Sequence, residues 1–119
     1  MTGLEHALIG LRQALDAPQR HHVWRRLVRL RMAGVRDALA GDWSRDGDEW
    51  LAARELSLRH ERSTLLSRLA LLGPRVLDEP NVETVRADLL RLVNDLEHHR
   101  QHLNDLVYDS VSLELGGSE

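Results

Sequence analysis

Histidine is the residue type through which this sequence could do chemistry. Seven occur among 119 residues, and cysteine is absent. Three stand close together in the run His98-His99-Arg100-Gln101-His102. His98 and His102 are four apart, so on a helix they share a face and could chelate a divalent cation. The plainer reading is a solvent-facing pair. His99 is different. Apolar residues recur at Val82, Val85, Leu89, Leu92, Leu96, Leu103 and Leu106, in steps of three and four that keep one stripe of a helix turned inward. His99 falls in the gap of that stripe, where a core residue is due.

An imidazole in a leucine core needs hydrogen-bond partners for its ring nitrogens. The preceding stripe, Leu51, Glu55, Leu58, Arg62, Leu65, Leu69 and Leu72, has two charged members of its own. Antiparallel packing around a connection at 73–81 sets the stretch from Glu55 to Arg62 beside His99, with Glu55 the favoured partner. His99, Glu55 and Arg62 then form a buried polar layer, which is costly unless fully paired. Such a layer serves either to fix helix register or as what is left of a binding site.

The remaining candidates are plainer. His21 and His22 open a helix and read as solvent-exposed, whereas His60 flanks the stripe and reads as partly buried. Arg20, Arg25, Arg26, Arg29 and Arg36 line one side of the second segment and read as a solvated face. They do not alternate with aromatics or glycine-rich loops, as an acid- or phosphate-binding face would. Ser57, Ser63 and Ser67 lie on a helix with no evident base, and Ser44 lies in a loop. No nucleophile elbow, phosphate loop or supported carboxylate pair is present. The expected role is therefore not enzymatic.

Four segments must position these residues. Leu4, Leu8, Leu11 and Leu15 mark a first helix over about 3–16. Pro18 suits the first turn of a second helix, about 18–40, whose broad apolar side carries Trp24, Leu27, Val28, Val35, Ala38 and Leu39. GDWSRDG, Gly41 to Gly47, breaks the pattern as a loop. The third helix is expected over about 48–72, closed or kinked by Gly73-Pro74. Asn81 is a fitting N-cap for a fourth over about 81–113. Val111, Leu113 and Leu115 alternate with polar residues, so the last turns read as either helix or extended tail. Short connections make neighbours antiparallel, and the fold class predicted is all-α: an up-down-up-down antiparallel four-helix bundle in one domain, 1–119.

Composition agrees. The chain is 42% hydrophobic, leucine-rich and without phenylalanine, a mixture that favours helix over sheet. The net charge of -3 gives no electrostatic reason to expect nucleic acid. Without cysteine there is neither a disulfide framework nor thiolate-ligated zinc. No stretch reads as a signal segment or membrane span, so the expected location is cytoplasmic. The fourth helix outruns its partners. Leu106, Val107, Val111 and Leu113 on the overhang would need cover, which predicts a homodimer through the C-terminal part of that helix, with folding back over the loops as the alternative.

Leu58–Leu69 (LRHERSTLLSRL), followed by Asp95–Gly117 (DLEHHRQHLNDLVYDSVSLELGG), resembles the second half of actinobacterial members of the haemerythrin-like cation-binding family. Trp24-Arg25-Arg26-Leu27 fits the pattern more loosely. The resemblance implies a four-helix bundle holding one or two irons between its helices through histidines and carboxylates. It places His99 at the family's fourth-helix histidine and Glu61 at the glutamate preceding the third-helix histidine. That histidine itself is Arg62 here, and a guanidinium neither ligates a cation nor tolerates one nearby. Where the second helix should end in histidine and glutamate, the chain reads Ala40-Gly41-Asp42-Trp43. His6 could stand for the first-helix ligand. The reading that follows is a divergent haemerythrin-like binding protein without an intact di-iron site and with no cofactor expected. The alternative is an iron-binding member with an atypical ligand set drawn from His99, Glu55, His6 and Asp42.

Overall fold

In a computed structural model of the chain, which describes residues 3–18, 20–41 and 52–116, four helices follow one another: α1 (Gly3–Asp16), α2 (His21–Ala40), α3 (Ala52–Asp78) and α4 (Val82–Gly116). The helix α1 packs on α2 and α4, and α3 packs on the same two, which closes an up-down-up-down bundle. The apolar stripes account for this closure. Leu4, Leu8, Leu11 and Leu15 are buried, as are Trp24, Val28, Met32, Val35 and Leu39 of α2. They meet Leu65, Leu69, Leu72 and Val76 of α3 and Val82, Val85, Leu89, Leu92, Val93 and Leu96 of α4 in one core.

The connections are tied by side chains. The Leu15 carbonyl, at the open end of α1, accepts from Trp24 Nε1 at 3.2 Å and from Arg86 Nε at 3.0 Å. Arg86 also reaches the Asp16 carboxylate at 2.8 Å. Asn81 caps α4 as expected, its Oδ1 accepting from the backbone N–H groups of Glu83 and Thr84 at 3.1 and 3.4 Å. Arg25 does not belong to a solvated arginine face. Its guanidinium donates to the carbonyls of Val76 and Glu79 at 2.8 and 2.6 Å, capping the end of α3 from across the bundle.

Two boundaries differ from expectation. The helix α2 begins at His21, three residues after Pro18, and its N-cap Arg20 makes no side-chain capping bond. More consequentially, α3 does not close at Leu72 but runs on through Gly73-Pro74 to Asp78. Proline removes one N–H and leaves the carbonyl four residues back unbonded. Here both Pro74 and Ala70 are exposed, so the freed carbonyl faces solvent. Burial of Val76 and the Arg25 cap hold the continuation in place. Gly73 permits a close approach as well, since a Cβ there would collide with the guanidinium of Arg29 from α2. The predicted start of α3 at 48, and Asp42 in the loop before it, lie outside the described residues.

At the far end, α4 stays helical to Gly116, which decides against an extended tail. Its 35 residues match the 59 Å long axis of the molecule, because a helix rises about 1.5 Å per residue. Leu106 is not an exposed overhang residue. It is fully buried within the single chain, packed on Leu58 with Leu103 at the edge. Leu106 therefore needs no second subunit to cover it. The side chains of Val107, Val111 and Leu113 lie outside the described set.

The solvent face of α2 offers a direct check on the helix. Gly34 is exposed, and a Cβ added there meets nothing within 4 Å. Gly34→Ala should raise stability by about 1 kcal/mol, the difference in helix propensity between the two residues. A thermal melt showing no gain would contradict an ordinary helical backbone at that position.

Candidate functional site

The chain turns between α3 and α4 over residues 79–81, and that turn sets which residues face each other. In an antiparallel pair, positions equally far from the turn are neighbours. The seam follows that mirror relation: Arg75 pairs with Asp88 at 2.8 Å and Arg68 with Asp95 at 2.6 Å, both about a point between Asn81 and Val82. His99 lies 19 residues after Pro80, and Glu61 lies 19 before it.

His99 is accordingly bonded to Glu61. Its Nδ1 is 2.7 Å from Glu61 Oε1, and the imidazole is 1% exposed. The polar layer expected in the core is thus present, but its acidic member is Glu61 and not Glu55. A turn centred on Leu77 would have set Glu55 opposite His99. Continuation of α3 through Pro74 moved the centre three residues on, and the partner therefore six residues on, from Glu55 to Glu61. Glu55 sits in the first turn of α3, half-buried, almost two turns away.

Glu61 accepts a second bond from α4, since His102 Nδ1 is 3.1 Å from the same Oε1. One carboxylate therefore clamps the two rings, one buried and one exposed. Burial works to raise the Glu61 pKa, but the hydrogen bonds to His99 and His102, with attraction to both rings, outweigh it and hold the group below its ordinary 4.5. An ionised carboxylate can only accept, so His99 Nδ1 carries the proton and donates. In the neutral ring Nε2 is then a lone-pair acceptor. It is buried and has no hydrogen-bond partner.

A carboxylate with a depressed pKa contributes stability that is fully present above its unfolded value and is lost as pH falls through the folded value. Acidification from about pH 4.5 downward should therefore weaken the bundle partly through Glu61. The drop in melting temperature between pH 5.5 and pH 3 should be smaller in Glu61→Gln than in the parent. Equal drops would show that the clamp does not contribute to the acid limb.

His99 also lines a cavity of about 380 Å³ at the end of the bundle where α1 begins and α2 ends. Its walls come from all four helices: Gly3 and Leu4, Ala38, Leu39 and Gly41, Arg62, and His99, Arg100, Leu103 and Asn104. Arg62 is half-buried, and Arg100 is tied to Glu97 at 3.2 Å. The other sequence candidates do not converge here. His6 is exposed on α1, and His60, expected to be partly buried, is exposed on α3, as are His98 and His102 on α4. A larger groove of about 640 Å³ between α2 and α3 is bordered by Arg26, Arg29 and Arg36, all exposed. It contains no buried polar group of the kind His99 supplies.

Among the described residues no three histidine or acidic side chains come together to hold a metal ion. The haemerythrin-like ligand pattern is not reproduced by them: His99 presents one nitrogen, His6 faces solvent, and Arg62 brings fixed positive charge into the same cavity. No family model matches this chain, and no curated protein or solved structure is detectably similar to it. Its resemblance to haemerythrin-like bundles rests on the quoted residues alone. None of its described helices is long and apolar enough to cross a membrane.

Proposed function

We propose that the chain is a haemerythrin-like bundle that has exchanged a metal centre for non-enzymatic binding of a small molecule between its helices. The observation that carries this reading is His99: a ring buried to 1% exposure, fixed through Nδ1 by Glu61 and left with Nε2 unpaired, in a residue that lines a cavity. Buried polar atoms in folded proteins nearly always find a partner, and one that does not calls for a reason. A guest molecule is such a reason. At about 380 Å³ the cavity lies at the small end of the range for ligand pockets. Its mixture of leucine, arginine and a single oriented imidazole is the usual make-up of one.

Ser57 and Thr64 lie on the outer groove between α3 and α4, away from the cavity, and no nucleophile shares it with His99.

The test reads the His99 ring directly. In protein labelled with 15N-histidine, a screen of small organic molecules should yield compounds that perturb Nε2 of His99 and leave Nδ1 protonated. If none does, the binding reading falls. Elemental analysis of untagged protein decides against the metal alternative in the same preparation: stoichiometric iron, lost in His99→Leu, would restore an atypical iron site and displace this proposal.

A further inference from the structure

The chemistry of the guest can be narrowed from the groups that would meet it, on the reading that the cavity binds a small molecule. With the ring neutral and the Glu61 carboxylate accepting from Nδ1, the Nε2 of His99 offers a lone pair, and the matching ligand atom is a donor, an O–H or N–H. The charge around the rest of the cavity has one sign. Arg62 and Arg100 stand on its walls, and none of its lining residues is acidic. Leu4, Leu39 and Leu103 provide the apolar remainder. His99 is the deeply buried end of this arrangement, whereas Arg62 and Arg100 are only half-buried.

We propose that the cavity binds a small organic acid with an apolar body and a hydroxyl group, the hydroxyl donating to His99 Nε2 and the carboxylate lying against Arg62 and Arg100. Each part of the ligand answers one part of the wall. The hydroxyl satisfies the only polar atom of His99 left without a partner. The carboxylate takes charge-assisted hydrogen bonds from the guanidinium groups on the cavity wall, Arg100 being half-buried and shared with Glu97. The body replaces water on leucine.

The ligand chemistry also sets what is refused. A compound that lacks the donor leaves Nε2 buried and unpaired, and a site built to bond a hydroxyl discriminates strongly against the analogue without one. A neutral compound forgoes the arginines.

The experiment uses the full chain and two hydroxy acids of different shape, 4-hydroxybenzoate and 6-hydroxyhexanoate. Each is compared with its O-methyl ether, which removes the donor, and with its primary amide, which removes the charge. Calorimetry gives the affinity, and the 15N resonances of His99 locate the bound compound. The expected result is one-to-one binding of at least one hydroxy acid, perturbing Nε2, with affinity about tenfold or more above its ether and its amide. His99→Leu should abolish the preference over the ether, and Arg62→Met the preference over the amide. Equal affinity of acid and ether overturns the donor assignment, and equal affinity of acid and amide overturns the acid. Either outcome leaves the cavity a binding site of another chemistry. If neither hydroxy acid binds while other compounds perturb Nε2, this inference fails and the binding reading stands. If nothing perturbs Nε2, both fail.

Discussion

Leu106→Asp is expected to destabilise the bundle by about 3 kcal/mol or more. Leu106 is fully buried in the single chain, against Leu58 and beside Leu103, in a small cluster set apart from the main core. Truncating a buried leucine alone typically costs 2–5 kcal/mol, through lost transfer free energy and the cavity left behind. An aspartate adds the cost of a buried charge, and the cluster offers it only leucine. Urea denaturation should show the midpoint falling, with Leu106→Ala losing less than Leu106→Asp. Light scattering on the same samples separates this account from the one in which Leu106 seals a dimer. Were Leu106→Asp to convert dimers into monomers while leaving the unfolding midpoint in place, burial within the chain would not be what Leu106 provides.

The second large effect is an asymmetry across one hydrogen bond. Glu61→Leu should cost about 2 kcal/mol, whereas His99→Leu should change stability by about 1 kcal/mol at most. Removing Glu61 leaves a fully buried imidazole with neither nitrogen bonded, because Nε2 already lacks a partner. Removing His99 strands much less. Glu61 keeps its bond to His102 and is 34% exposed, so water can replace what it loses. A leucine at 99 also completes the apolar stripe between Leu96 and Leu103. Chemical denaturation of both single variants and of the double variant measures the coupling. Equal losses in the two single variants would mean that Nε2 is satisfied in the native protein. Set beside the binding experiment, His99→Leu separates stability from ligand preference: the fold persists and the donor selectivity disappears.

How the seam between α3 and α4 is read decides most of what can be said about the site. The residues on the inward stripes were legible from spacing alone. The three- and four-residue steps of Leu4 to Leu15 and of Val82 to Leu96 correspond to buried positions, and the same register placed His99 inside. The Asn81 cap was legible too, because asparagine before an apolar periodic run satisfies the first free N–H groups of a helix. Periodicity reports a residue's phase around its own helix, and it does so whatever the neighbour is.

The neighbour itself was not legible, because pairing depends on where a helix stops. Local propensity ends α3 at Gly73-Pro74; burial of Val76 and the guanidinium of Arg25, 51 residues away in sequence, carry it to Asp78. That shift exchanged Glu55 for Glu61 at the side of His99. The mirror positions of Arg68 with Asp95 and Arg75 with Asp88, opposite charges equidistant from a point between Asn81 and Val82, held the signal that could have located the turn. Arg25 likewise reads as surface charge in the sequence and serves as a cap in the structure, since a capping partner from another helix leaves no local pattern. The sequence by itself determined an all-helical bundle with a histidine turned inward, because those follow from residue type and period. Only the tertiary structure decided that Glu61 holds the ring, that Leu106 is covered by its own chain, and that His99 lines a cavity with its Nε2 unpartnered. Each of these depends on how far one helix runs past another, a length set by long-range contacts and not by any window of sequence.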